Sequence, residues 1–68
     1  MSRNDILLTA YENDLYYATE FKRNGKDVMV FSVFSKDGEQ KFREQMKGYV
    51  IEPVMDSHNE NRLIGVVV

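Results

Sequence analysis

The 68-residue sequence contains no cysteine and no tryptophan, and it has one proline and one histidine. Without cysteine the chain can form neither a disulfide nor a thiolate metal site, which is typical of proteins of a reducing compartment. No apolar run approaches the roughly 18 residues of a membrane span, and the opening residues do not resemble a signal peptide. The sequence therefore predicts a single cytoplasmic domain without a membrane segment.

A strong charge of either sign is also lacking. Nine basic residues stand against eleven acidic ones, which gives a net charge of -2. So balanced a charge does not indicate a nucleic-acid-binding protein. The net negative charge is also too small for a protein that mimics a dense array of phosphates.

Catalytic and metal-binding patterns are scarce. Asp56, Ser57 and His58 are the residue types of a catalytic triad, but neighbours in one turn cannot adopt the nucleophile, base and orienter geometry. The alternation of Asp56, His58 and Glu60 resembles a calcium loop, yet the sixth position of that loop requires glycine and is Asn61 here. We therefore expect no enzymatic activity, no metal and no cofactor.

A β-hairpin from Leu15 to Phe34 is the clearest structural prediction. Two-residue hairpin loops need a positive φ at both central positions, and Asn24 followed by Gly25 accepts this conformation at low cost. Counted outward from this loop, the predicted register pairs Arg23 with Lys26 and ends with Leu15 opposite Phe34.

Both faces of this predicted hairpin are substantially apolar. One face carries Leu15, Tyr17, Phe21, Val28, Val30 and Phe34, and the other carries Tyr16, Ala18, Glu20, Met29, Phe31 and Val33. Since a solvated antiparallel sheet shows one polar face, the strand Val28 to Phe34 is expected to be central and covered on both sides, or to leave one face for a partner.

The segment before the hairpin is ambiguous. Ile6 to Tyr11 is interpreted as a strand, although the same residues also fit a helical stripe opened by Asn4. A helix is predicted from Asp37 to Lys47, because Asp37 and Gln40 have capping-box spacing and Gly48 follows as a stop.

Two further strands are predicted after the helix. Tyr49 to Met55 contains Pro53, which cannot donate a ladder hydrogen bond and so marks a sheet edge or a bulge. Arg62 to Val68 is β-branched and almost uncharged, so it is expected to be internal. The sequence predicts an α+β domain, with a small antiparallel sheet in the order β-β-β-α-β-β and one helix packed on one face.

The hairpin tip offers a basic cluster. Lys22, Arg23 and Lys26 lie beside aromatic residues, a mixture that can bind the phosphates and bases of single-stranded nucleic acid. Glu20 and Asp27 dilute this cluster, so nucleic-acid binding is kept as an alternative.

Three segments resemble successive sheet strands of the phage uracil-DNA glycosylase inhibitor. They are Asp5 to Glu12, Asp27 to Phe31, and Asp56 to Leu63. The resemblance implies a stoichiometric inhibitor that imitates DNA with an acidic strand and holds an apolar residue of the enzyme in a pocket. The pocket residues would fall on Leu8, Met29 and Phe31. This sequence has no counterpart of the family's acidic strand before Asp5. Of the two features of the family's mechanism, the pocket is therefore the one expected here.

The surplus of apolar surface on a small sheet independently indicates a protein partner. We expect a small non-catalytic protein-binding module, a phage-type inhibitor of a larger host enzyme such as a DNA-repair enzyme, that uses Tyr16, Met29, Phe31 and Leu8. Other readings stay open: Met29, Phe31 and Val33 form the core, or the chain is a structural or oligomerisation module. A homodimer through strand edges or the uncovered face is also predicted.

Overall fold

A computed structural model describes residues 2–54 and 62–68 of the chain. The described elements are, in order, α1 (Arg3–Glu12), β1 (Leu15–Arg23), β2 (Lys26–Val33), α2 (Lys36–Gln45), β3 (Val50–Val54) and β4 (Arg62–Val67). The strands form one antiparallel sheet in the order β1-β2-β4-β3. The predicted α+β class with an antiparallel sheet is confirmed, but the chain starts with a helix where a strand was expected.

The first element is helical because its start is capped. The Ser2 hydroxyl accepts a hydrogen bond from the Asp5 backbone N–H at 3.3 Å, and the Asp5 carboxylate accepts one from the Ser2 backbone N–H at 3.1 Å. This reciprocal capping box satisfies two backbone donors at the helix start. The strand predicted for Ile6 to Tyr11, which the inhibitor resemblance also implies, is therefore wrong. The helical alternative is correct, with Ser2 as the cap instead of Asn4.

The hairpin loop forms as the sequence predicts. Asn24 and Gly25 have φ values of 52° and 79°, the positive values that a two-residue loop between twisted strands requires. The predicted register is confirmed from the pair Arg23 and Lys26 to the pair Thr19 and Val30.

A β-bulge at Ala18 then changes the register. Tyr17 pairs with Phe31 while Thr19 pairs with Val30, so Ala18 has no partner across the ladder. Leu15 consequently lies opposite Val33 and not opposite Phe34. Because successive side chains alternate between faces, one extra residue moves every side chain before it to the other face. The faces predicted for Leu15, Tyr16 and Tyr17 are therefore exchanged.

The main core lies between the sheet and the two helices. Its buried members are Ile6, Ala10, Leu15, Met29, Phe31, Val33, Phe42, Met46, Ile64 and Val66. The rings of Phe31 and Phe42 are 5.8 Å apart, which joins β2 to α2 at the centre of the core. The alternative that Met29, Phe31 and Val33 form the core is confirmed.

The sheet face opposite the helices has a smaller apolar cluster. Val28, Val30 and Leu63 are buried there. Gly65 of β4 lies among them, and a Cβ at this position would be 2.7 Å from Cγ1 of Val28 and 3.1 Å from Cγ2 of Val54. The absence of a side chain at Gly65 thus lets valines of two neighbouring strands close over β4.

The second helix is close to its predicted position. It begins after Ser35, whose hydroxyl accepts a hydrogen bond from the Gly38 N–H at 3.1 Å, so Ser35 and not Asp37 is the cap. Gly48 follows the helix with φ 104°, a conformation suited to a glycine after a helix end.

The last two strands also match their predicted roles. β3 lies at an edge of the sheet and contains Pro53, as expected. β4 is internal, between β2 and β3. The predicted polar turn from Asp56 to Asn61 lies outside the described residues.

Both ends of α1 are attached to the rest of the domain. At its start, Arg3 donates from Nη2 to Asp27 at 2.6 Å and from Nε to Glu20 at 3.2 Å. After its end, Nδ2 of the buried Asn13 donates to Oε1 of Gln45 at 2.6 Å. α1 therefore spans from the hairpin on one side to α2 on the other.

We predict that Gly38→Ala destabilises the fold although alanine favours helices. The added Cβ would overlap the backbone carbonyl oxygen of Asn13, and backbone at this contact can move only by separating the helices. Overpacking of this kind costs about 1–3 kcal/mol, more than the ~1 kcal/mol that alanine gains over glycine in a helix. Urea unfolding measures the change, and the exposed Gln40→Ala in the same helix is the control. A stability of Gly38→Ala equal to or above wild type would contradict this packing.

We also predict that Arg3 controls the ionisation of Asp27. The hydrogen bond from the Arg3 side chain is the main cause that lowers the pKa of Asp27, and Lys22 contributes less. A lowered folded-state pKa adds stability above the unfolded-state pKa, and this stability is lost as the pH falls through the folded-state value. Arg3→Gln should raise the pKa of Asp27 and move acid unfolding to higher pH.

The NMR titration of the Asp27 carboxyl group measures this pKa, with Lys22→Gln for comparison. Lys22 lies 3.4 Å from Asp27 with a more exposed side chain, so its removal should raise the pKa less. An equal or larger rise in Lys22→Gln would show that the Arg3 contact does not dominate.

Candidate interaction surface

The four predicted protein-binding residues do not share one surface. Leu8 and Tyr16 are exposed, whereas Met29 and Phe31 are buried beneath the helices. The prediction that Tyr16, Met29 and Phe31 form one open sheet face is wrong. The bulge at Ala18 turns Tyr16 to the face opposite the helices, and the helices cover Met29 and Phe31.

Three exposed aromatic side chains lie at the end of the hairpin away from its tip, where Tyr16 contacts the other two. The rings of Tyr11 and Tyr16 are 5.3 Å apart and nearly perpendicular, and those of Tyr16 and Phe34 are 5.1 Å apart at 80°. Their exposed fractions are 65%, 41% and 56%. We call Tyr11, Tyr16 and Phe34 the aromatic surface.

The chain positions these rings through the turn between α1 and β1. Tyr11 is in the last turn of α1, Tyr16 is in β1, and Phe34 directly follows β2. The Phe34 N–H donates to the Asp14 carbonyl at 3.2 Å, and the Asp14 N–H donates to the Tyr11 carbonyl at 3.3 Å. Leu8 precedes Tyr11 by three residues on α1, which makes the two side chains neighbours on the helix surface.

Two exposed acidic residues adjoin the aromatic surface along the chain. Glu12 and Asp14 are exposed, and neither forms an ion pair with any residue in the described ranges. The last turn of α1 contains no basic residue. This end of the domain therefore combines exposed rings with two carboxylates that form no ion pair in the described part of the chain.

The basic residues at the hairpin tip are, in contrast, largely paired. Lys22 contacts Asp27 at 3.4 Å, and Arg23 forms an ion pair with Glu52 while its guanidinium carbon lies 5.3 Å from the centre of the Phe21 ring. Lys22 is on the helix side of the sheet and Arg23 on the opposite side, as their cross-strand positions show. These basic residues therefore do not form one free patch for phosphate groups.

A shallow cavity of about 300 Å³ lies beside the tip on the face opposite the helices. Its lining comprises Arg23, Asn24, Lys26, Val28, Val50, Glu52 and Val67. The Arg23–Glu52 ion pair neutralises two of its three charged groups, so within the described residues Lys26 is the charge left for a ligand. One surface lysine does not define a binding site.

The described part of the chain has no cluster of three or more His, Cys, Asp or Glu side chains that could hold a metal ion. The residues once considered for a metal loop, Asp56, His58 and Glu60, lie outside that part. Neither described helix has the length and apolarity needed to cross a membrane. No family model, curated protein or solved structure matches this chain.

Tyr11 and Phe34 were not among the residues predicted for binding. Tyr11 could have been found from the capping-box spacing of Ser2 and Asp5, because a helix places it three residues after Leu8 on an exposed side. The contact between Tyr16 and Phe34 depends on the bulge at Ala18, which has no comparable signal in the sequence.

The predicted homodimer can be tested directly. Both outer strands of the sheet carry features that hinder edge pairing, namely the bulge at Ala18 in β1 and Pro53 in β3. Among the described residues the aromatic surface is the largest group of contacting exposed apolar side chains, so Tyr16→Ser should weaken a dimer formed through it. Light scattering at increasing protein concentration measures the mass. A strictly monomeric mass at all concentrations would contradict the predicted dimer.

Proposed function

We propose that this chain is a non-catalytic protein-binding module and that the aromatic surface, extended by Leu8, is its contact site. The action we propose for it is inhibition of a larger host enzyme, the phage-type role that the sequence resemblance implies. A DNA-repair enzyme is the class of target that follows from that resemblance.

One observation carries this proposal. The Tyr16 ring contacts the rings of Tyr11 and Phe34, and the three residues still expose 41–65% of their surface. Single exposed apolar residues are normal on protein surfaces, whereas contiguous exposed apolar groups mark interaction sites. Tyrosine and phenylalanine are also enriched in protein interfaces, where tyrosine often contributes a large share of the binding energy.

The magnitudes support an interface but not one made by the rings alone. Full burial of a Phe-sized side chain is worth roughly 1.5–3 kcal/mol, so covering the exposed halves of three rings yields only a few kcal/mol. Association costs about 4–15 kcal/mol in lost translational and rotational freedom. A stable complex must therefore also use neighbouring groups such as Leu8 and the acidic residues beside the rings.

Nucleic-acid binding through Lys22, Arg23 and Lys26 is the weaker proposal. Lys22 and Arg23 are each engaged with a carboxylate of the same chain, and they lie on different faces of the sheet. Phosphate binding would have to break these ion pairs before it could release counterions from nucleic acid.

We predict that Tyr16→Ser abolishes partner binding while Tyr17→Ser does not. The two tyrosines are adjacent in sequence and similarly exposed, at 41% and 50%, but they point to opposite faces of β1. Tyr17 packs against the core residue Phe31, with ring centres 5.8 Å apart, and so serves as the matched control. The measurement is a pull-down from nuclease-treated host lysate at low and high salt, with each fold verified by circular dichroism.

A protein retained at high salt by wild type and by Tyr17→Ser, and lost with Tyr16→Ser, is the expected result, because apolar contacts depend little on salt. Its identity then shows whether the target is a DNA-repair enzyme. Equal retention by both variants would reject the aromatic surface as the contact site. Recovery of nucleic acid alone, lost at high salt, would favour the basic hairpin tip instead.

A further inference from the structure

Asp14 adopts a conformation and a position that do not favour stability. Its φ is 63°, in the left-handed region, which glycine usually occupies at a helix end and which aspartate adopts at a lower cost than most other residues. Asp14 is also the second residue after Glu12, the last residue of α1. Backbone strain of this kind points to a functional constraint where a second observation supports it.

The second observation is electrostatic. The carboxyl end of a helix carries a partial negative charge, which disfavours acidic side chains and favours basic ones. Here Glu12 and Asp14 stand at this end, the last turn holds no basic residue, and no ion pair to either carboxylate exists within the described ranges. The negative potentials of the helix end and of the two carboxylates therefore add, and no ion pair among the described residues offsets them.

This negative potential is tied to the aromatic surface by the backbone. Asp14 bonds through its N–H to the carbonyl of Tyr11 and through its carbonyl to the N–H of Phe34. The backbone of Asp14 is thus bonded to the backbones of both outer aromatic residues. Aromatic faces attract cations by roughly 0.5–1 kcal/mol at exposed sites, and guanidinium groups do so more often than ammonium groups. Rings and carboxylates here favour the same ligand, a positively charged side chain.

We propose that the aromatic surface binds an arginine- or lysine-bearing segment of the partner protein, with Glu12 and Asp14 supplying the opposite charge. This inference rests on the proposed protein-binding function and defines the chemistry of the partner. The cationic side chain lies over the rings and neutralises the carboxyl end of α1. Asp14 stays in an unfavourable position in the free protein because its charge is used in the complex.

The proposal predicts that one substitution improves stability and impairs binding. Asparagine accepts the left-handed conformation as aspartate does, so Asp14→Asn removes the charge and keeps the backbone. Its melting temperature should rise by roughly 2–6 °C as repulsion at the helix end is removed. Glu44→Gln is the matched control, because Glu44 is an exposed acid in the last turn of α2.

Binding is measured by NMR titration with an acetylated and amidated peptide, Gly-Arg-Gly-Arg-Gly, against the analogue in which citrulline replaces both arginines. The arginine peptide should shift resonances of Tyr11, Tyr16 and Phe34, and the neutral analogue should not. Asp14→Asn should weaken the binding of the arginine peptide roughly two- to fivefold, as expected for an exposed charge pair. Glu44→Gln should leave this affinity unchanged.

Equal shifts with the citrulline peptide, or equal affinities of Asp14→Asn and Glu44→Gln, would overturn the cationic partner. The pull-down distinguishes this failure from failure of the proposed function. Loss of the partner with Tyr16→Ser, together with an unchanged affinity of Asp14→Asn for the captured partner, would leave protein binding intact and remove only its charge chemistry. Retention of the partner with both variants would contradict both the aromatic surface as the contact site and the cationic chemistry of the partner.

Discussion

The β-bulge at Ala18 is the constraint on which both the core and the exposed surface depend. In an unbroken register Leu15 and Tyr17 would face away from the helices, and Tyr16 would point into the space that the helices cover. The extra residue brings Leu15 beneath the helices, where it is fully buried, and turns Tyr16 outward to contact Tyr11 and Phe34. One unpaired alanine thus supplies an apolar residue to the core and an aromatic residue to the surface.

Elements with local signals could be predicted from the sequence. The Asn24-Gly25 pair determines its own loop, Pro53 identifies an edge strand, and the uncharged β-branched run of β4 marks an internal strand because exposure would be unfavourable. α1 also carried a local signal, the capping box of Ser2 and Asp5, but its short apolar run fits a strand equally well. The bulge could not be predicted, since neither a glycine nor a proline marks Ala18.

The wrong prediction of the binding face follows from the ambiguity of the first segment. Met29 and Phe31 appeared available because only one helix was expected to cover a sheet that was apolar on both faces. The first segment is the helix α1 and not a strand. A second helix therefore covers the sheet and buries both side chains with Ile6 and Ala10. Surplus apolar surface then remains at the border between α1 and the hairpin, where Tyr11, Tyr16 and Phe34 meet.

The charges of the domain are distributed so that its two ends differ in what they offer a partner. At the hairpin tip Lys22 and Arg23 are paired with carboxylates of the same chain, and Arg3 joins Glu20 to Asp27. In those ion pairs the basic residues attach α1 and the outer strands to the rest of the domain. The opposite end retains Glu12 and Asp14 without such pairs in the described ranges. A nearly neutral sequence therefore has a local excess of exposed carboxylates near its exposed rings, which the net charge of -2 does not reveal.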